Sequence, residues 1–330
     1  MSHHIRWQAL LVLVSIVLLI VLVIYLAFTF TTVTVPDYGG TYLEGLIGVP
    51  QYINPVLCQY NQVDQDLVAL TFNGLTQIDT KGEIVGDLAD HFDISGDGLS
   101  YTFTLRRDVR WHDGERFDAD DVVFTIRAIQ AEDFQGVPYL AELWRGVAVE
   151  KIDDWTVRFT LGEPFTPFLD YTTIGILPAH VLKDVPPGEL PQHPFNLQPI
   201  GTGRFAVSQV NNESVVLKAH PFPWKPAPYL SRVEAKFYPN YETAFNAYER
   251  GFIEGIPGIR PQDIGWVQRQ DPLRLYTTRM SGYSLIYLNH NSPNRPFFRD
   301  RKVRQALLYG LDRQKLIDET LHGQGIVAHS

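Results

Sequence analysis

Between Trp7 and Pro36 the chain carries no charged side chain, and Ala9 to Phe28 is a twenty-residue run made mostly of Leu, Val and Ile. A helical run of that length spans the hydrocarbon core of a bilayer. Arg6, with His3 and His4, precedes it, and the first charge beyond it is Asp37. The positive-inside bias then keeps the N-terminus cytoplasmic and exports the rest. A cleaved secretory signal is the competing reading, since it shares the basic start and apolar middle. Here the exit Leu26-Ala27-Phe28-Thr29-Phe30 puts a bulky residue where a small one is wanted. The only cysteine, Cys58, lies too far downstream to serve as a lipid attachment point. Residues 1–36 are read as a cytoplasmic tip and a transmembrane signal anchor, single-pass, with an extracellular or periplasmic C-terminal domain.

The remaining chain, roughly 290 residues, is long enough for two domains or one large lobed one. A net charge of -9 argues against nucleic acid, which needs a clustered basic surface. One cysteine allows no internal disulfide, so the exported part is held by its core alone.

Short strand-like runs alternate with a few helices, which points to an α/β or α+β fold. Tyr101 to Arg107 alternates apolar with polar, the period of a half-buried strand, after an Asp97-Gly98 turn. Asp118 is placed to cap a helix in which Val122, Ile126 and Ile129 share one face for packing on a sheet. Trp155 to Leu161 reads as another strand. The proline-rich stretch from Val185 to Pro199 reads as a connection between subdomains. Beyond it, Phe205 to Val210 and Ser214 to Lys218 form a hairpin, and Thr243 to Arg250 is a helix stopped by Gly251. Tyr283 to Leu288 reads as an apolar strand, and Asp300 to Leu316 as a helix.

Motifs with chemistry are few. Gly201-Thr202-Gly203 fits a loose dinucleotide pattern, but a strand follows it where a helix is required, so a tight loop is the reading and no cofactor is expected. His112, His180, His193, His220 and His290 are scattered without partners at ligand spacing, so no metal site is expected. His112-Asp113 sits before Gly114 in a turn whose Asp-Gly serves the backbone. No nucleophile elbow, zinc-protease helix or phosphate loop is present, and no catalytic residue is assigned; the chain is not read as an enzyme.

Several blocks carry a resemblance. They are Gly39-Gly40-Thr41, Tyr52-Ile53-Asn54-Pro55, Phe72-Asn73-Gly74-Leu75, and the long run from Leu88 through Trp111-His112-Asp113-Gly114 to Phe124. Pro199 to Phe205 and Val303 to Leu307 with Leu311-Asp312-Arg313 complete the set. Together they resemble the bacterial extracellular solute-binding proteins of family 5, the peptide- and nickel-type receptors of ABC importers. Arg204 stands where the family's loop carries proline. Family members continue well past the last of these blocks, so the resemblance implies a C-terminally truncated chain.

The resemblance implies a periplasmic-binding-protein-like type II fold: two α/β lobes closing on a ligand, with an inserted subdomain. Lobe one would cover residues 37–282, with the insertion at about 61–185. Residues 283–330 would form a hinge strand and the start of an incomplete second lobe. By position in the family, Tyr60, Gln62 and Gln65, Tyr139, and Ile176 at the end of a strand from Tyr171 would face the cleft. The tyrosines offer apolar area with a hydroxyl, and the glutamines bond a backbone amide. The implied function is capture of oligopeptides or dipeptides outside the cell and delivery to ABC permease and ATPase subunits. A membrane-tethered sensor, or a receptor for nickel or another solute on the same fold, is the alternative.

Overall fold

A computed structural model describes residues 2–31, 36–221, 223–270, 273–277, 282 and 284–328. Along the chain, α1 (Ser2–Thr31) precedes β1 (Thr41–Ile47) and α2 (Gln62–Thr71). A short antiparallel pair, β2 (Thr76–Ile78) and β3 (Ile84–Gly86), leads into β4 (Ala89–Ile94) and β5 (Ser100–Leu105). Then come α3 (Ala119–Gln130), α4 (Pro138–Arg145), β6 (Val147–Asp153) and β7 (Thr156–Leu161). Two single helical turns, α5 (Phe168–Tyr171) and α6 (Ala179–Leu182), precede β8 (Phe205–Val210), β9 (Ser214–Ala219), β10 (Arg232–Tyr238) and α7 (Tyr241–Glu249).

The chain forms two compact units, residues 1–255 and 256–330. The first holds two four-stranded sheets. One has the order β1-β10-β9-β8, with β1 and β10 parallel and the other pairs antiparallel. Parallel strands need a crossover between them. The crossover from β1 to β10 contains the whole second sheet, the antiparallel β4-β5-β7-β6. That sheet falls inside the 61–185 segment. Residue α2 Val63 and its neighbour one turn on, Leu67, are also in that segment but pack with Leu46, Phe205, Leu217 and Val233 under the first sheet.

The second sheet is built as its period demands. On β5, Tyr101, Phe103 and Leu105 are buried while the residues between them are half-exposed, and β7 alternates likewise. Asp118 caps α3 in a full capping box with Asp121, and Val122, Ile126 and Ile129 are buried on its sheet-facing side. Phe103, Phe159, Phe168 and Trp144 interlock there: the Phe103 and Phe159 rings stand edge-on with centroids 5.5 Å apart, and Trp144 meets Phe168 at 5.7 Å. Gly98 sits at φ +71° in the β4–β5 turn, a conformation that favours glycine.

Several local expectations differ from the structure. Tyr171 to Ile176 is not a strand: Thr172, Thr173 and Ile174 donate to the carbonyls three residues back, so the segment winds out of α5 as turns. The β-branched residues there lack a neighbouring strand, and sheet geometry exists only with one. The proline-rich connection contains two short 3-10 turns, Pro187–Gln192 and Pro194–Asn196, which bury Leu190 and Phe195.

In the second unit, α8 (Pro261–Val267) is followed by two helices where one is expected, α9 (Arg301–Gly310) and α10 (Arg313–Thr320). Asp312 interrupts the run because its side chain accepts from Lys315 N–H and caps a new helix. Residues 284–289 carry no strand, and Tyr283 lies outside the described residues. A strand needs a ladder partner, and none of the described residues pairs with this segment.

Candidate functional site

The loop leaving β1 is shaped by buried polar side chains. Gly48 turns at φ +107° and its N–H donates to Tyr238 O at 2.8 Å, which fixes the exit from the strand. The Asp64 carboxylate, at the first turn of α2, then accepts from the backbone N–H groups of Gln51 (2.7 Å) and Tyr52 (2.9 Å). Burial raises the Asp64 pKa, and these two N–H donors with Asn61 oppose the shift by favouring the ionised form. Asn61 works in both directions: its Oδ1 accepts from Val63 N–H as the cap of α2, and its Nδ2 donates to Val49 O at 2.9 Å. Deeper, Asn54 Nδ2 donates to Asn196 Oδ1 (3.0 Å), and Asn196 Nδ2 donates to Leu190 O (2.8 Å), tying the loop to the proline-rich connection.

These contacts hold open a concavity of about 390 Å³ whose wall includes Gly48, Tyr52, Leu57, Tyr60, Asn61 and Asp64. That is within the size range of small-ligand sites. Tyr60 ends a 3-10 turn, Cys58–Tyr60, and is 77% exposed. Tyr139, on α4, is 59% exposed. Its hydroxyl pKa is raised, first by partial burial and then by the neighbouring Cys58, Tyr171 and Tyr60. Two tyrosines far apart in sequence therefore sit in one neighbourhood. The Cys58 thiol is pushed up to about 12 by burial, which suppresses the thiolate and any nucleophilic role.

The other expected site residues are placed differently. Gln65 Nε2 donates to Gln59 O at 3.1 Å and braces the 3-10 turn. Gln62 is exposed, with Nε2 donating to Asp66 Oδ1 at 2.8 Å one helical turn away. Ile176 is 1% exposed, in the core with Phe168 and Leu177, so its side chain is closed to any ligand. Sequence reasoning passed over Asp64 and Gln59. Gln59 Nε2 donates to Pro55 O, while its Oε1 is buried without a hydrogen-bond partner. An acidic residue in a first turn reads as a dipole complement, so only the fold exposes the long-range role of Asp64.

Among the described residues no group of three or more His, Cys, Asp or Glu is placed to hold a metal. His112 instead pins the Gly201 loop. Its N–H donates to Gly201 O (2.9 Å), Gly201 N–H donates to His112 Nδ1 (3.1 Å), and Nε2 donates to Gly203 O (2.9 Å). Burial lowers the ring's pKa to about 4, so it is neutral at physiological pH. Gly201 and Gly203 lie so close to the carbonyl end of α2 that a Cβ at either would overlap Thr71 or Leu70 O. The glycines serve packing, as a tight loop does. His180 Nε2 lies 2.8 Å from Asp113 Oδ2, a pairing across 67 residues that local spacing hides.

A mixed sheet whose crossover carries a second antiparallel sheet defines the periplasmic-binding-protein-like type II α/β class. The sequence model of the "Bacterial extracellular solute-binding proteins, family 5 Middle" matches residues 83–330, and the chain belongs to that family. Its members are solute-binding proteins rather than enzymes. The chain is 31% identical over 301 residues to the oligopeptide-binding protein AppA of Bacillus subtilis, covering 89% of this chain and 54% of AppA. The structure of AppA in complex with a nonapeptide superposes with a TM-score of 0.74 at 29% identity, covering 89% of this chain and 58% of that one. NikZ from Campylobacter jejuni in complex with Ni(L-His) gives 0.75 at 29% identity, covering 88% and 57%. The chain thus spans about half the length of the curated relatives it matches.

Proposed function

We propose that this chain belongs to a membrane-tethered receptor that binds short peptides outside the cytoplasm and passes them to an ABC permease and its ATPase subunits. The reading rests on the 31% identity to an oligopeptide-binding protein across 89% of the chain. The exposed Tyr60 and Tyr139 beside the concavity add chemistry that suits it: each gives a flat apolar face for a peptide side chain and a hydroxyl for its backbone. Asp64 and Asn61 act behind them by fixing the loop, which limits the ordering cost of binding.

The anchor reading is part of the proposal. The segment Leu10–Ala27 has a mean hydropathy of 3.4 and lies within a helix long enough to cross a membrane. Retained, it holds the receptor beside its transporter at high effective concentration.

Titration calorimetry of the complete protein, with its second lobe, in detergent against a di- to hexapeptide pool tests the binding claim, with Ni(L-His) as a parallel arm. Heat from peptides supports it. Heat from Ni(L-His) alone moves the reading to the nickel-type receptors, a reading favoured by the similarity to NikZ. Silence in both arms, with no rise in melting temperature, removes it. Co-purification with permease subunits separates an importer component from a tethered sensor.

A further inference from the structure

We infer that the loop around Tyr229, together with Tyr38, forms a patch that rests in the lipid interface of the membrane crossed by α1. The inference rests on the anchor being retained. Three observations carry it. The first is tether length: only six residues, 32–37, separate the end of α1 from Tyr38. Fully extended, they reach ~25 Å, less than the thickness of a bilayer.

The second is a fixed exit point. Tyr38 and Tyr229 pack against each other, tilted by 34°, with ring centroids 4.9 Å apart. Gly39 N–H donates to Tyr229 O at 2.7 Å, and Ser231 Oγ and Arg232 N–H both donate to Gly40 O. The tether is therefore fastened to the 229–232 loop, and that loop stays close to the helix end whatever the rest of the chain does.

The third is the chemistry of the loop. Tyr38 is 66% exposed and Tyr229 48%, with Ala227 and Leu230 exposed beside them. Residues 226–231 read Pro-Ala-Pro-Tyr-Leu-Ser, without a charge. Exposed tyrosines flanked by small apolar residues suit the membrane–water boundary, where an aromatic ring sits at headgroup depth with its hydroxyl in water. With no charge of its own between residues 226 and 231 the loop offers nothing for a lipid headgroup to pair with, so the contact is apolar and interfacial.

Spin-label accessibility tests this on the full-length chain in phosphatidylcholine vesicles. The label goes on Ala227→Cys in a Cys58→Ser background. The expected result is a severalfold higher ratio of oxygen to aqueous nickel-chelate collisions than for the same label with Tyr38→Ser, Tyr229→Ser and Leu230→Ser added, unchanged by high salt. Should the triple variant misfold, the first labelled protein alone decides, by comparison with a label at exposed Gly96. Solvent-like collisions at 227 in a chain that resists carbonate extraction overturn the patch while leaving the anchor intact. Loss of the chain from the membrane fraction overturns both.

Discussion

Lys225 and Asp87 form an ion pair nearly closed to solvent, with side chains 13% and 3% exposed. It joins the loop after β9 to the segment entering β4, and so links the two sheets of the first unit. Trp224 lies under Lys225, and Arg106 also faces that ring while its Nε donates to Asp87 O at 2.8 Å. Burial lowers the Lys225 pKa, opposed by Asp87. Removing one partner of such a pair strands the other. Lys225→Met or Asp87→Leu is expected to destabilise the protein by ~3–5 kcal/mol, and the double variant by much less. Thermal unfolding followed by circular dichroism checks this; additive losses would remove the coupling.

Asp121 and His112 titrate with opposite consequences. The Asp121 carboxylate accepts from Trp111 Nε1, Asp118 N–H and Ala179 N–H, and burial raises its pKa to about 6. The folded state then holds that proton more tightly than the unfolded chain. The stability Asp121 contributes is present below its ordinary value near 4 and is lost as pH rises through about 6. Asp121→Asn should remove that slope, worth ~2 kcal/mol, measurable as melting temperature between pH 4 and 6.5.

His112 works the other way. Its folded value of about 4 lies below the ordinary 6.5, so its contribution is present above 6.5 and is lost as pH falls towards 4. Protonating Nδ1 also breaks the bond from Gly201 N–H. His112→Gln should leave a protein whose stability falls from pH 4 to 6, unmasking the Asp121 slope. A flat profile in both variants would contradict these assignments.

Binding and folding separate at the site residues. Tyr60→Ala and Tyr139→Ala remove exposed rings and should each weaken peptide binding about tenfold with little change in melting temperature. Ile176→Ala should cost ~3 kcal/mol of stability, because it opens a cavity under Phe168 and Leu177. Calorimetry and unfolding on the same preparations distinguish the two classes.

Gly201→Ala is expected to destabilise by about 3 kcal/mol, since its Cβ would strike the Thr71 carbonyl and the backbone must shift. Chemical denaturation compared with Gly96→Ala, where a Cβ meets nothing within 4 Å, provides the control.

Where one face of an element meets the core, the sequence was readable. The alternation on β5, the Asp118 cap and the Val122-Ile126-Ile129 stripe all recur in the structure. The hairpin of β8 and β9 does too, with an irregularity between Val207 and Gln209. Legibility failed where a partner distant in sequence decides. Thr172 and Ile174 have strand-forming side chains but no strand beside them. Asp312 breaks a helix that its neighbours favour. Tyr60 and Tyr139 were placed by position in the family, and the structure leaves both rings exposed, whereas the tasks of Asp64, Gln65 and His112 depend on backbone groups that folding brings to them.

The parallel register of Thr41 with Arg232 has a consequence in time. During synthesis, β1 is among the first residues beyond the apolar helix, yet its ladder partner is made about 190 residues later. At ribosomal rates that gap lasts roughly ten to forty seconds. Throughout it, β1 presents Leu43, Leu46 and a row of unbonded amides to whatever surrounds the growing chain, whereas the antiparallel sheet behind it completes from neighbouring hairpins. The second sheet therefore has reason to fold first, and the strand that follows the apolar helix to be the last one docked.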